Sequence, residues 1–89
     1  MRYVQIIITG KVQGVFYRAS AKKAAEELGI HGWVKNNPAG DVEIYACGNP
    51  AELEKFLSWC RKGPARAVVQ AVDVKEAKPQ SCPDFRIVK

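Results

Sequence analysis

The stretch Gly10 to Arg18, GKVQGVFYR, brings together the residue types needed to hold an anion. Gly10 and Gly14 let the chain take up positive φ and turn tightly, so that successive N–H groups point into one concavity. The stretch runs into a helix-like segment whose first N–H groups have no intrahelical partner, which adds positive potential at the same place. Arg18 contributes a full charge, and its planar guanidinium can meet two phosphate oxygens at once, as lysine cannot. Further along, Asn36 offers an uncharged amide that both donates and accepts hydrogen bonds, so it can hold a water beside an anion. Taken singly, Arg18 reads equally well as a solvated first-turn residue, and Asn36 as a residue opening a turn.

Other catalytic designs lack their residues. The single histidine, His31, has no serine and acid partners for a nucleophilic triad and reads as structural. No Gly-Lys-Thr ending follows the loop, which sets it apart from a Walker loop, and no carboxylate pair or histidine cluster is spaced to hold a metal. A phosphate cradle with one arginine and one asparagine is thin equipment for most phosphate esters, whose alkoxide leaving groups call for a general acid or a metal. It suffices for an acyl phosphate. There the leaving group is a carboxylate, whose conjugate acid has a pKa of about 4, and no proton need be delivered. Positioning and charge stabilisation then do most of the catalysis, with a phosphate oxygen taking up the proton of the attacking water.

The chain has 89 residues, enough for one domain spanning 1–89. Fourteen basic and nine acidic side chains give a net charge of +5, which favours anionic ligands in general. The basic residues lie singly or in pairs such as Lys22-Lys23 and Arg61-Lys62, without the run that marks a nucleic-acid arm, and no aromatic RNA-recognition motif is present. No nucleic-acid partner is expected. Cys47, Cys60 and Cys82 are odd in number and widely spaced, which fits neither a zinc site nor a disulfide framework. The N-terminal MRYVQIII is too short for a secretory signal, and no apolar run reaches membrane-spanning length. These features predict a cytoplasmic monomer without a membrane partner.

The elements that must position the loop follow from periodicity. Val4, Ile6 and Ile8 alternate with Tyr3, Gln5 and Thr9, giving a first strand with one covered face, with Ile7 the exception on the outer face. Residues 17–28 place Tyr17, Ala21, Ala24, Ala25 and Leu28 on one helical side, and Gly29 stops the helix. A second strand, His31 to Asn36, is closed by the turn Asn37-Pro38-Ala39-Gly40 and pairs back onto a third over 42–47. Asn49, Pro50 and Glu52 predict a capped start to a second helix, whose buried stripe is Leu53, Phe56, Leu57 and Cys60, with Trp59 off the stripe. Val-rich 67–76 is a fourth strand, and 85–88 a short last one after a loop at 78–83. Trp33 reads as core.

The order strand, helix, strand, repeated, predicts an α+β, ferredoxin-like split βαβ fold (βαββαβ). Two helices cover one face of an antiparallel sheet, with the short C-terminal strand added. In each βαβ half the two strands run parallel. Asn36 should therefore emerge at the same sheet edge as the glycine loop, roughly 10 Å away across one intervening strand.

Two motifs resemble those of the acylphosphatase family. Gly10, Val12, Gln13, Gly14, Val15 and Arg18 fit the signature G-x-V-Q-G-V-x-(F or M)-R, with Tyr17 where the pattern prefers Phe or Met. Gly32, Trp33, Val34, Lys35, Asn36, Gly40, Val42 and Gly48 fit a second signature, and the resemblance runs over the whole chain. It implies cofactor-free hydrolysis of the carboxyl-phosphate bond of a small acyl phosphate, with Arg18 and Asn36 as catalytic residues. The backbone of Val12, Gln13, Gly14, Val15, Phe16 and Tyr17 would then form the phosphate loop. Gln13 can also serve merely to shape that loop, Lys35 reads as a surface charge, and the extra hydroxyl of Tyr17 needs a partner if buried.

Overall fold

A computed structural model describes residues 1–88. The elements are β1 (Arg2–Lys11), α1 (Tyr17–Glu27), β2 (His31–Asn36), β3 (Val42–Gly48), α2 (Pro50–Lys62), β4 (Val68–Glu76) and β5 (Phe85–Ile87). The strands form one sheet in the order β4-β1-β3-β2-β5. The four longer strands are antiparallel neighbours, as expected from the pattern, whereas β5 pairs parallel to β2 through Gly32–Phe85 and Val34–Ile87. The complete sheet is therefore mixed rather than antiparallel.

The reason lies in the loop between β4 and β5. Tyr3 accepts a hydrogen bond from the Ala77 amide, the Tyr45 hydroxyl donates to Lys78 O and accepts from the Gln80 amide, and a His31 ring nitrogen lies 3.0 Å from Cys82 O. These contacts carry the chain from one edge of the sheet to the other, across its outer face. It then enters β5 running alongside β2.

The helix-facing side forms the core. Val4, Ile6, Ile8, Val34, Val42, Ile44 and Ala46 from the sheet meet Tyr17, Ala21 and Ala25 of α1 and Leu53, Phe56, Leu57 and Cys60 of α2. All of these are essentially inaccessible to water, which is the main source of stability for so short a chain. The Tyr17 hydroxyl finds its partner in the Cys60 carbonyl at 2.7 Å, locking α1 to α2.

Four expectations need correcting. Asn49 precedes α2 with an extended backbone but makes no side-chain cap bond, and Glu52 pairs weakly with Lys55 instead of completing a capping box. Trp59 is half-buried and packs against the core, 5.3 Å from the Tyr17 ring and 6.2 Å from Phe56. Trp33 belongs to the outer face, where it stacks on Tyr45 with Lys35 above its ring. Gly10 sits within β1 at a register shift against β4, where its φ is 126° and a Cβ would overlap the Val68 carbonyl. It serves sheet geometry, and the anion loop begins after Lys11.

Candidate active site

The end of β1, the start of α1 and the ends of β2 and β5 all reach one edge of the sheet. There Val12, Gly14, Phe16, Tyr17, Arg18, Ala19, Asn36 and Ile87 surround an open cavity of about 280 Å3. That volume is near the lower limit for small-molecule pockets and suits a ligand a few atoms across.

The loop from Val12 to Phe16 is held from both sides. Val12 and Val15 are buried and anchor it to the core, so Val15 lies beneath the cavity rather than in its wall. Gln13 sends its amide the other way: Nε2 donates to Asn37 O at 3.0 Å and Asp41 O at 2.9 Å. The β2–β3 turn that receives it is braced internally, because Asn37 Oδ1 accepts from the Ala39 and Asp41 amides. Gln13 thus ties the loop to the turn beside Asn36 with its side chain turned from the cavity. The structure brings Arg18 and Asn36 together without Lys35, which points to the outer face over Trp33.

Two backbone positions shape the loop. Gly14 has φ 71°, a region glycine enters without cost. Phe16, directly before α1, has φ 63° and ψ 23°, the left-handed conformation that a bulky side chain adopts at a cost of about 1–3 kcal/mol. Tyr17, Arg18 and Ala19 of the first α1 turn line the cavity, and that turn holds no acidic residue to offset the partial positive charge of the helix end. Arg18, half-buried in the same turn, makes no ion pair or side-chain hydrogen bond among the described residues.

Asn36 closes the other side of the cavity. Its Oδ1 is buried and is the one buried side-chain polar atom among the described residues without a hydrogen-bond partner. A buried acceptor left unmet costs about 1–3 kcal/mol, so it calls for a partner. The thiols lie elsewhere: burial pushes Cys60 up to about 12 and raises Cys47 as well, leaving both protonated at neutral pH. Among the described residues no group of three His, Cys, Asp or Glu side chains converges, and no helix is long and apolar enough to cross a membrane.

The acylphosphatase family profile matches residues 4–87. The chain belongs to the acylphosphatase family. An acylphosphatase of Marinobacter nauticus is 50% identical over 91% of this chain and 89% of its own length. The solved acylphosphatase of Coxiella burnetii is 41% identical, with a TM-score of 0.94 over 98% of this chain and 92% of that one. The acylphosphatase of Bacillus subtilis is 33% identical, with a TM-score of 0.96 over 100% of both chains. The chain is an enzyme of this hydrolase family, whose activity is the cleavage of small acyl phosphates.

Sequence reasoning placed Arg18, Asn36 and the loop correctly at one edge. It missed Ala19 and Ile87 as cavity residues and treated Phe16 only as backbone. Ile87 reaches the site only through the parallel seat of β5 beside β2, which the sequence pattern does not announce.

Proposed function

We propose that residues 1–89 act as a single-domain, monomeric cytoplasmic acylphosphatase that uses Arg18 and the loop backbone to hold phosphate and Asn36 to place the water. The unmet, buried Oδ1 of Asn36, on the same cavity as Arg18, carries this reading. A water hydrogen-bonded to the Asn36 amide has a lone pair free to face phosphorus on the side opposite the carboxylate leaving group. The N–H groups of the 12–17 loop and α1, with the Arg18 guanidinium, then meet the equatorial oxygens as charge builds on them. The P–O bond to the acyl group breaks, the pair of electrons leaves with the carboxylate, and the water proton passes to a phosphate oxygen. Because that leaving group needs no acid, the reaction calls for neither metal nor cofactor.

Binding and chemistry should separate at Asn36. With benzoyl phosphate as substrate and a chelator present, Asn36→Ala is expected to lower kcat by about a hundredfold while competitive inhibition by inorganic phosphate stays within a few fold. Loss of phosphate inhibition in step with kcat, or retention of full kcat, would remove the water from Asn36. Far-UV circular dichroism and the denaturant midpoint check that the fold is kept.

A further inference from the structure

We infer that the ring of Phe16 and the side chain of Ile87 form the acyl subsite, so that the enzyme prefers acyl phosphates with an aromatic or branched apolar acyl group. This rests on the reading of the cavity given above and extends it to the half of the substrate that Arg18 and Asn36 do not touch. Phe16 is 77% exposed, the second most exposed large apolar side chain after the N-terminal Met1. It is also the only non-glycine residue with positive φ among the described residues. A left-handed position before a helix is met without strain by glycine or asparagine. A phenylalanine there incurs both backbone strain, which the closing loop imposes, and the exposure of a large apolar ring. Strained positions of this kind are held by the structure around them and cluster at active sites and ligand clamps.

Ile87 supplies the second wall from a different element. It ends β5 paired to Val34, two residues before Asn36 on β2, and it is 40% exposed while lining the cavity. The cavity thus has a polar part, Arg18, the α1 N-terminus and Asn36, and an apolar part, Phe16 and Ile87. A phosphate seated on the polar part leaves its acyl group beside the apolar one. Among the described residues no charged side chain apart from Arg18 lines the cavity, so none of them recognises a carboxylate or ammonium on the acyl chain.

The test compares kcat/KM for benzoyl and acetyl phosphate in the wild type, Phe16→Ala, Phe16→Leu and Ile87→Ala. Taking the variant ratio over the wild-type ratio cancels the intrinsic reactivity of the two acyl phosphates. The benzoyl preference should fall about tenfold in Phe16→Ala and severalfold in Ile87→Ala, with Phe16→Leu recovering part of it. A ratio within twofold of the wild type in both alanine variants overturns the subsite. Inhibition by inorganic phosphate reports the state of the loop. If Phe16→Ala abolishes that inhibition, the ratio in Ile87→Ala, on a separate strand, decides alone. Wild-type hydrolysis of both acyl phosphates with unchanged variant ratios sinks only the acyl subsite, whereas no hydrolysis of either sinks the proposed function and this inference together.

Discussion

α1 and α2 lie on the same face of the sheet and share one core, yet their N-termini are finished in opposite ways. α2 starts from an extended Asn49, has Pro50 at its first position, which removes one unpaired donor, and carries Glu52 in its first turn and Arg61 and Lys62 in its last. Its own side chains offset the helix dipole at both ends. α1 starts from a strained Phe16, has no acid in its first turn and no base in its last. Where α2 has one donor fewer and an acid against its partial charge, α1 keeps all its first-turn donors, and that turn lines a cavity, Arg18 among its residues. A helix end that is electrostatically incomplete in the free protein is available to an anion; one that is complete is only structural.

The largest expected effect removes the charge that distinguishes the α1 end. Arg18→Ala should lower kcat/KM for benzoyl phosphate by about a thousandfold and weaken inorganic phosphate as an inhibitor, because one guanidinium serves ground and transition states alike. Arg18→Lys should restore little of either, since a point charge cannot make the two-pronged contact. Near-native rates in the lysine variant would show that the helix end and loop suffice with any cation.

Making α1 resemble α2 is the next test. Ala19 is exposed in the first turn of α1 and lines the cavity, so Ala19→Glu places there the kind of carboxylate that Glu52 provides in α2. It should weaken phosphate inhibition by about 2 kcal/mol, roughly thirtyfold, with the penalty shrinking as salt is added. The melting temperature should hold or rise slightly. Unchanged phosphate binding would mean that the α1 terminus is not the anion site.

The opposition between the two ends is easy to see in hindsight and only half legible in the sequence. Asn49-Pro50-Ala51-Glu52 announces a helix start, and that start is where the structure puts it, although the Asn49 side chain takes no part. Phe16 announces nothing, because a left-handed phenylalanine is disfavoured by its own propensity and is set by the loop closing around it. Gly10 misled for the converse reason: glycine in a loop-like motif and glycine at a strand bulge have the same letter, and only the approach of Val68 separates them. The His31–Asn36 strand came out residue for residue, since alternation and a flanking Asn-Pro turn fix it locally. The parallel seat of β5 depends on a crossing loop whose anchors are hydrogen bonds to Tyr3 and Tyr45, and periodicity carries no trace of those.

The core shared by the two helices supplies a pH test through the buried Cys60 thiol. Burial holds the Cys60 thiol up at about 12 against an ordinary 9.0, and it raises the Tyr17 phenol as well. The folded-state value is the higher one, so the unfolded chain releases its thiol proton first as pH rises. The stabilisation is therefore complete below about pH 9 and is lost progressively above it. Between pH 8 and pH 10 the Cys60 contribution should fall by roughly 1.4 kcal/mol, read from denaturant midpoints. Cys60→Ala should flatten that decline while lowering stability at neutral pH by about 1 kcal/mol through the lost sulfur packing. A wild-type midpoint flat from pH 8 to pH 10 would mean that the thiol is open to solvent and the helices less tightly joined.

The smallest effect belongs to the other helix end and bears on the comparison from the opposite direction. Glu52 is the only acid in the first turn of α2, and its contact with Lys55 Nζ is long at 3.7 Å, with Lys55 largely solvated and Glu52 half-buried. Most of its worth must then come from the helix dipole, which at an exposed terminus amounts to about 0.5 kcal/mol. Glu52→Gln keeps the shape and deletes the charge, so it should lower the denaturant midpoint by about that amount, and high salt should shrink the difference. Turnover of benzoyl phosphate and inhibition by inorganic phosphate should match the wild type, because the α2 end takes no part in the cavity. A gain in phosphate affinity on removing this carboxylate would show that the two helix ends share one field. In that case α1 alone could not be called the anion-binding terminus.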